Sequence, residues 1–121
     1  MTVDYVNHPP HYQTHGVECI VAARAMSFDL GNAVKYVYRA WDKGMLTQDL
    51  EKAQFYLKDH MAHGDAQVVS QASSAGDALR RIAQAQPSKV RRAFFFAVSD
   101  GRYGVALACV EQMIAESAEQ D

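Results

Sequence analysis

The feature that most constrains the fold is the segment 30–43, in which polar and apolar side chains recur with the period of an α-helix. Its polar members lie three and four positions apart, and we call them the cationic stripe: Asn32, Lys35, Tyr36, Arg39 and Lys43. Its apolar members fall mainly on the other side of a helical projection: Leu30, Ala33, Val34, Val37 and Trp41. The segment is therefore predicted to be a helix that buries one face and offers cations on the other.

Helical patterns continue along the rest of the chain, and no segment alternates like a strand over a useful length. The predicted helices span 17–26, about 28–42, 48–60, 77–85, 89–98 and 103–117. Their predicted N-caps are Ser27 or Asp29, Thr47, Asp77 and Ser88. Lys43-Gly44 supplies the stop signal after the second helix. We therefore predict an all-α fold of five or six short helices.

Changes in composition divide the chain into three parts. Residues 1–15 contain Pro9-Pro10 and show no period, so they are predicted to form an arm before the first helix. Residues 64–76 consist largely of small and polar residues, which is typical of a linker. We expect an N-terminal three-helix unit at 1–63, a linker at 64–76 and a C-terminal helical hairpin at 77–121.

Charge and hydropathy exclude several classes of protein. The formal net charge is only −2, so the whole molecule has no strong attraction to nucleic acid. No apolar run of eighteen residues and no signal peptide occur, which predicts a cytoplasmic protein with no membrane partner. Cys19 and Cys109 lie among apolar residues of predicted helices and are expected to be buried, reduced thiols. A disulfide between them stays open at this point.

The residue types of the cationic stripe are suited to a phosphate or carboxylate ligand. Arg39 can hold a phosphate through two parallel hydrogen bonds, and Lys35, one turn away, adds a point charge. Asn32 can contact a base or ribose edge. Gly31 permits close approach at the start of the helix, where free N–H groups favour anions.

Two carboxylates, Glu18 and Asp49, are the catalytic candidates. Either can orient a hydroxyl, hold Mg²⁺ or pair with Arg39. Two other interpretations of the stripe stay open: a solvated face, or internal ion pairs with Glu18, Asp49 or Glu51. No P-loop motif is present, which excludes a P-loop kinase.

The histidines of the arm are not expected to bind a metal. Pro9-Pro10 keeps the backbone extended between His8 and His11, so their rings are not predicted to converge. We expect no metal site here, and His11 is a candidate to approach the ligand site.

The N-terminal half also carries an ordered set of motifs. They are Asn7-His8-Pro9-Pro10-His11-Tyr12, Gly16-Val17-Glu18-Cys19-Ile20, Gly31-Asn32-x-x-Lys35-Tyr36-x-x-Arg39, Lys43-Gly44 and Asp49-Leu50-x-Lys52-Ala53-x-x-Tyr56-Leu57. Through these motifs, residues 7–57 resemble a family of small phage-encoded domains, most of unknown function. Some members are labelled nucleotide kinases, after a phage enzyme that phosphorylates deoxynucleoside monophosphates without a P-loop. Met45 stands where the family usually has a second glycine.

The resemblance implies a phage protein that binds nucleotides in the host cytoplasm. If it is catalytic, the resemblance implies phosphate transfer to a deoxynucleoside monophosphate, with ATP and Mg²⁺ as cofactors. Lys35, Arg39 and Lys43 would then neutralise the phosphates.

The C-terminal half favours two alternative functions. Its basic residues make a candidate surface for a partner: Arg80, Arg81, Arg91, Arg92 and Arg102. One alternative is a non-enzymatic phage protein that inhibits a host defence complex through this basic, aromatic half. The other is a structural helical module that oligomerises. Phe94, Phe95 and Phe96 point in three directions on a helix, which predicts a homo-oligomer.

Overall fold

The structure is a computed structural model, and it describes residues 16–42, 44–63 and 74–119. These residues form six helices and no strand, which confirms the all-α prediction. The helices are α1 (Gly16–Arg24), α2 (Phe28–Arg39), α3 (Leu46–His63), α4 (Ser74–Ala85), α5 (Lys89–Ser99) and α6 (Tyr103–Ser117). The predicted N-terminal arm and most of the predicted linker lie outside the described residues.

Two of the predicted N-caps are confirmed. Ser27 precedes α2, and its hydroxyl accepts a hydrogen bond from the Leu30 amide at 3.3 Å. Ser88 precedes α5, and its hydroxyl accepts one from the Arg91 amide at 3.2 Å. Each serine therefore satisfies an N–H group that has no partner within its own helix.

Two other predicted caps are wrong. Thr47 lies inside α3, which begins one residue earlier, and its hydroxyl shares a 2.8 Å hydrogen bond with the Ser117 hydroxyl. A tertiary contact therefore uses the side chain that the local pattern assigned to capping. Asp77 lies in the first turn of α4, which begins at Ser74, where it favours the helix through its charge near the positive end of the dipole.

The six helices form a closed ring of neighbours. Each packs against the next in the order α1, α2, α3, α6, α5, α4, and α4 returns to α1. The helices α2 and α3 are antiparallel, because Ser27 lies beside His60 at one end and Arg39 beside Asp49 at the other. Two turns in the chain use glycine in the left-handed region, Gly44 at φ 70° and Gly101 at φ 74°.

One hydrophobic core fills the ring, with buried side chains from all six helices. The residues that the sequence assigned to an N-terminal unit and to a C-terminal hairpin thus share one core. Phe94 and Phe95 are fully buried in it, with ring centres 5.0 Å apart, and Phe96 packs against it from a half-buried position. A single chain accommodates all three rings, so they no longer support the homo-oligomer, which stays a prediction.

The two cysteines are free and buried, as predicted. Burial raises the pKa of the Cys19 thiol to about 12 and also raises that of Cys109, so neither is a ready thiolate. In the described part of the chain, every helix is too short or too polar to cross a membrane.

Candidate functional site

The helices α2 and α3 bring three cations around one tyrosine ring. The Nζ atoms of Lys35 and Lys52 lie 4.5 Å and 5.3 Å from the centre of the Tyr36 ring, and the Arg39 guanidinium carbon lies 5.8 Å from it. Lys35, Tyr36 and Arg39 come from the cationic stripe, whereas Lys52 comes from the neighbouring helix. The stripe is thus extended across the α2–α3 contact.

Aromatic rings continue this surface. Tyr56 stacks on Tyr36 with centres 6.0 Å apart and planes 5° from parallel. Phe28 and Phe55 both meet Tyr56 nearly at right angles, at 5.8 Å and 5.4 Å. We call the combined surface the α2–α3 face, and its members are Phe28, Asn32, Lys35, Tyr36 and Arg39 of α2 with Lys52, Phe55 and Tyr56 of α3.

A partly buried ion pair lies at one end of the α2–α3 face. Arg39 Nε lies 3.8 Å from Asp49 Oδ2, and the Asp49 side chain is only 6% exposed. Neither atom has a hydrogen-bond partner among the described residues. Internal pairing with Asp49, one of the interpretations that the sequence left open, is therefore present. A catalytic role for Asp49 stays a prediction.

The two lysines of the face differ from Arg39. Among the described residues, no carboxylate lies within ion-pair distance of Lys35 or Lys52. Each is held near the Tyr36 ring, whose face attracts a cation. No described carboxylate therefore neutralises their charges.

An open pocket of about 220 Å³ adjoins the face between α1 and α2. Its lining consists of Ala23, Met26, Ser27, Phe28, Gly31, Asn32 and Lys35. The Asn32 amide donates to the Phe28 carbonyl at 2.8 Å, which fixes the side chain and leaves its oxygen as an acceptor.

Gly31 has a structural reason to be glycine. A Cβ atom there would lie 3.0 Å from the Ala23 carbonyl oxygen, so the missing side chain lets α2 approach α1. The sequence interpretation assigned this glycine to close ligand approach, but the helix contact already accounts for it. Ser27 also occupies the Leu30 amide, one of the N–H groups expected to face an anion.

Two carboxylates border the face at its Phe28 end. A side-chain hydrogen bond with Asp59 raises the pKa of Asp29, because that bond favours the protonated form of Asp29. Asp59 also lies 3.3 Å from His63 Nδ1. The positive end of the face is therefore the end of Lys35, Arg39 and Lys52.

Three residues predicted for the site have side chains outside the described set: His11, Glu18 and Lys43. The structure places Asn32, Lys35, Tyr36 and Arg39 on one side of α2, as the period predicted, and all four are half-buried. Sequence reasoning did not assign Lys52 and Tyr56 to the site. Their spacing from Asp49, three and seven residues, was the available signal, since it places all three on one side of α3.

The C-terminal arginines largely contact their own chain. The Arg91 guanidinium lies 3.8 Å from the Trp41 ring centre, and burial lowers its pKa. Arg92 donates to the Gln86 carbonyl at 2.9 Å. The others divide into Arg80, which pairs with Asp77 and reaches Ser99, and the exposed Arg81 and Arg102. Inhibition of a host defence complex through these residues stays a prediction.

Comparison with known proteins agrees with the N-terminal motifs. Residues 6–58 match a family model described as DUF3310, a protein of unknown function. Every member of the α2–α3 face lies within the matched segment. No curated protein and no solved structure matches the chain.

Proposed function

We infer that the α2–α3 face binds the phosphate group of a nucleotide. The observation that carries this inference is the pair of lysines, Lys35 and Lys52, which approach one tyrosine ring from two helices without a carboxylate partner among the described residues. Two ammonium groups near the same ring repel each other, and an anion that contacts both relieves that repulsion. A phosphate supplies the charge and the acceptor oxygens that both need.

Arg39 contributes charge and rigidity to the same site. Asp49 fixes its position, while the arginine side chain remains 23% exposed and still faces the surface. Among the described residues, three cations against one buried carboxylate leave the lysine end of the face positive, although the whole chain is formally −2. The attraction is therefore local, and we expect it to weaken with salt.

Phosphate transfer to a deoxynucleoside monophosphate is the enzymatic form of this proposal, and the family resemblance is its support. Mg²⁺ is a harder fit. Asp49 is occupied by Arg39, and the described residues contain no group of three or more His, Cys, Asp or Glu that could hold a metal. The proposal therefore rests on phosphate binding alone. In it, ATP binds the α2–α3 face as a polyphosphate anion.

Calorimetric titration tests the proposal with inorganic phosphate, each deoxynucleoside monophosphate and ATP as probes. We expect Lys35→Ala and Lys52→Ala each to weaken binding about tenfold, because each removes one charge-assisted contact of roughly 1.5 kcal/mol. Lys58→Ala is the matched control, since Lys58 is an exposed lysine of the same helix. Equal affinities for all four proteins would refute the site.

Formation of ADP and a deoxynucleoside diphosphate tests the enzymatic form separately. Binding without turnover, with and without Mg²⁺, would leave a nucleotide-binding protein and refute the kinase. No binding of any probe would refute both.

A further inference from the structure

Two phenylalanines on the α2–α3 face are exposed to an unusual degree. Phe28 is 75% and Phe55 is 64% exposed, the highest values among the exposed large hydrophobic residues of the described chain. Both rings contact Tyr56, so they belong to one aromatic cluster. Single exposed apolar residues are common, but a cluster of exposed rings typically marks an interaction site.

The arrangement of the rings leaves room for stacking. Phe28 and Phe55 lie at 78° and 81° to the Tyr56 plane, so neither is paired face to face with it. Their exposure leaves ring surface open to solvent. A planar base can stack on such a ring with little dependence on its identity, because every base has a π-face.

The face is also longer than one phosphate needs. Phe28, Lys35 and Arg39 follow one side of α2, which places Lys35 about 10 Å and Arg39 about 16 Å beyond Phe28 along the helix. The adjoining pocket, at about 220 Å³, is smaller than the roughly 300–1,000 Å³ of pockets that enclose a drug-sized ligand. A ligand must therefore lie along the surface rather than inside it.

We propose that the ligand of the α2–α3 face is single-stranded nucleic acid of two or more nucleotides, with bases stacked on Phe28 and Phe55 and phosphates at Lys35 and Lys52. This proposal rests on the proposed function and names its ligand class. A groove with cations beside exposed aromatic rings is the usual combination for single strands. The bases of a duplex are already stacked on each other, so a duplex cannot use the two phenylalanines.

Self-association is the main competing use of the two phenylalanines. In a two-fold dimer the same patch occupies both sides of the interface. Lys35 and Lys52 of both copies would then lie in one interface, and ammonium groups that lose water without a carboxylate partner disfavour association. A strand of nucleic acid suits both the phenylalanines and the lysines, because its bases are flat rings and its phosphates are negatively charged. Asp29 and Asp59 repel phosphate at the Phe28 end, so the phosphates belong at the lysine end.

Fluorescence anisotropy with a labelled eight-nucleotide deoxythymidine strand tests the proposal, with dTMP, inorganic phosphate and duplex DNA as competitors. We expect the strand to bind at least tenfold more tightly than dTMP. Phe28→Ala and Phe55→Ala should each weaken strand binding about five- to a hundredfold, which is the range for loss of one stacked base. Binding of inorganic phosphate should not change. Val105→Ala, an exposed apolar residue on α6, is the matched control.

Salt dependence gives an independent readout for the phosphate contacts. Two contacts to a single strand predict a log–log slope of about −1.4, and Lys52→Ala should reduce it to about −0.7. The phenylalanine variants should leave the slope unchanged while lowering affinity. Because both phenylalanines are exposed, these variants should keep the helix content of the parent protein by circular dichroism.

Several outcomes would overturn the proposal. If dTMP binds as tightly as the strand and neither phenylalanine matters, the nucleotide site stands and the extended ligand is wrong. Equal binding of duplex and single strand would mean that only phosphate is recognised. A change in oligomeric state of the phenylalanine variants by light scattering, without a change in affinity, would make the cluster a self-contact. If no probe binds, the proposed function fails as well.

Discussion

Removal of the Arg39 side chain should destabilise the fold before it affects any ligand. Arg39 is the counterion of Asp49, whose carboxylate is 6% exposed at the α2–α3 contact. Arg39→Ala would leave that negative charge buried without its partner. A buried charge without a partner is strongly unfavourable, because it has lost water without gaining a compensating contact.

The expected loss follows from the burial of the pair. Breaking a buried ion pair costs about 3–5 kcal/mol, whereas exposed pairs contribute roughly 0.2–1 kcal/mol. Arg39 is 23% exposed, and the two atoms are 3.8 Å apart, longer than a short charge-assisted bond. Both features favour the lower end, about 3 kcal/mol. In a chain of 121 residues this corresponds to a Tm about 10 °C lower.

Urea denaturation of four proteins measures the effect: the parent protein, Arg39→Ala, Asp49→Asn and the double variant. The double variant should be more stable than Arg39→Ala alone, since the buried charge is then absent. Arg102→Ala is the control, because Arg102 is an exposed arginine and should change stability by less than about 0.5 kcal/mol. A loss below about 1 kcal/mol for Arg39→Ala, with additive effects in the double variant, would refute the reasoning.

Two further predictions concern packing and pH. Gly31→Ala should destabilise the protein by about 1–3 kcal/mol, because the new Cβ would meet the Ala23 carbonyl oxygen. Gly104→Ala is the control and should be neutral or stabilising, because no atom lies within 4 Å of its new Cβ. Equal unfolding midpoints for the two variants would contradict this prediction. Asp29→Asn should raise Tm at pH 7. The pKa of Asp29 is raised in the fold, so its charged form disfavours folding above that pKa and the disadvantage fades as pH falls through it. The gain in Tm should therefore shrink towards pH 4, and a gain independent of pH would contradict the role of the Asp29–Asp59 contact.

The period of the sequence was sufficient to predict the helices, because the spacing of apolar residues within a segment shows which of its faces is buried. It also placed Asn32, Lys35, Tyr36 and Arg39 on one side of α2, since residues three and four apart share a face in any helix. These predictions required no knowledge of the neighbouring helices.

Predictions failed where a distant residue decided the role of a side chain. Thr47 is of a residue type that is common at N-caps, but its hydroxyl forms a hydrogen bond with Ser117, seventy residues away. The sequence also did not show that Arg91 lies on Trp41 in the fold, and its role in binding a partner stays a prediction. Local propensity contains no information about either contact. For the same reason Lys52 was not predicted to belong to the site, because its position there depends on which side of α3 faces α2.

The position of α6 bears on how the site must be tested. The matched segment ends at residue 58 and includes the α2–α3 face, yet α3 is sandwiched between α2 and α6. The Thr47–Ser117 hydrogen bond and the contact of His60 with Tyr103, at 4.8 Å between ring centres, hold α6 against the two ends of α3. Loss of the C-terminal helices would expose the buried side of α3 to water. The geometry of Lys52 and Tyr56 thus depends on helices that the family match does not reach, and binding experiments should use the full chain.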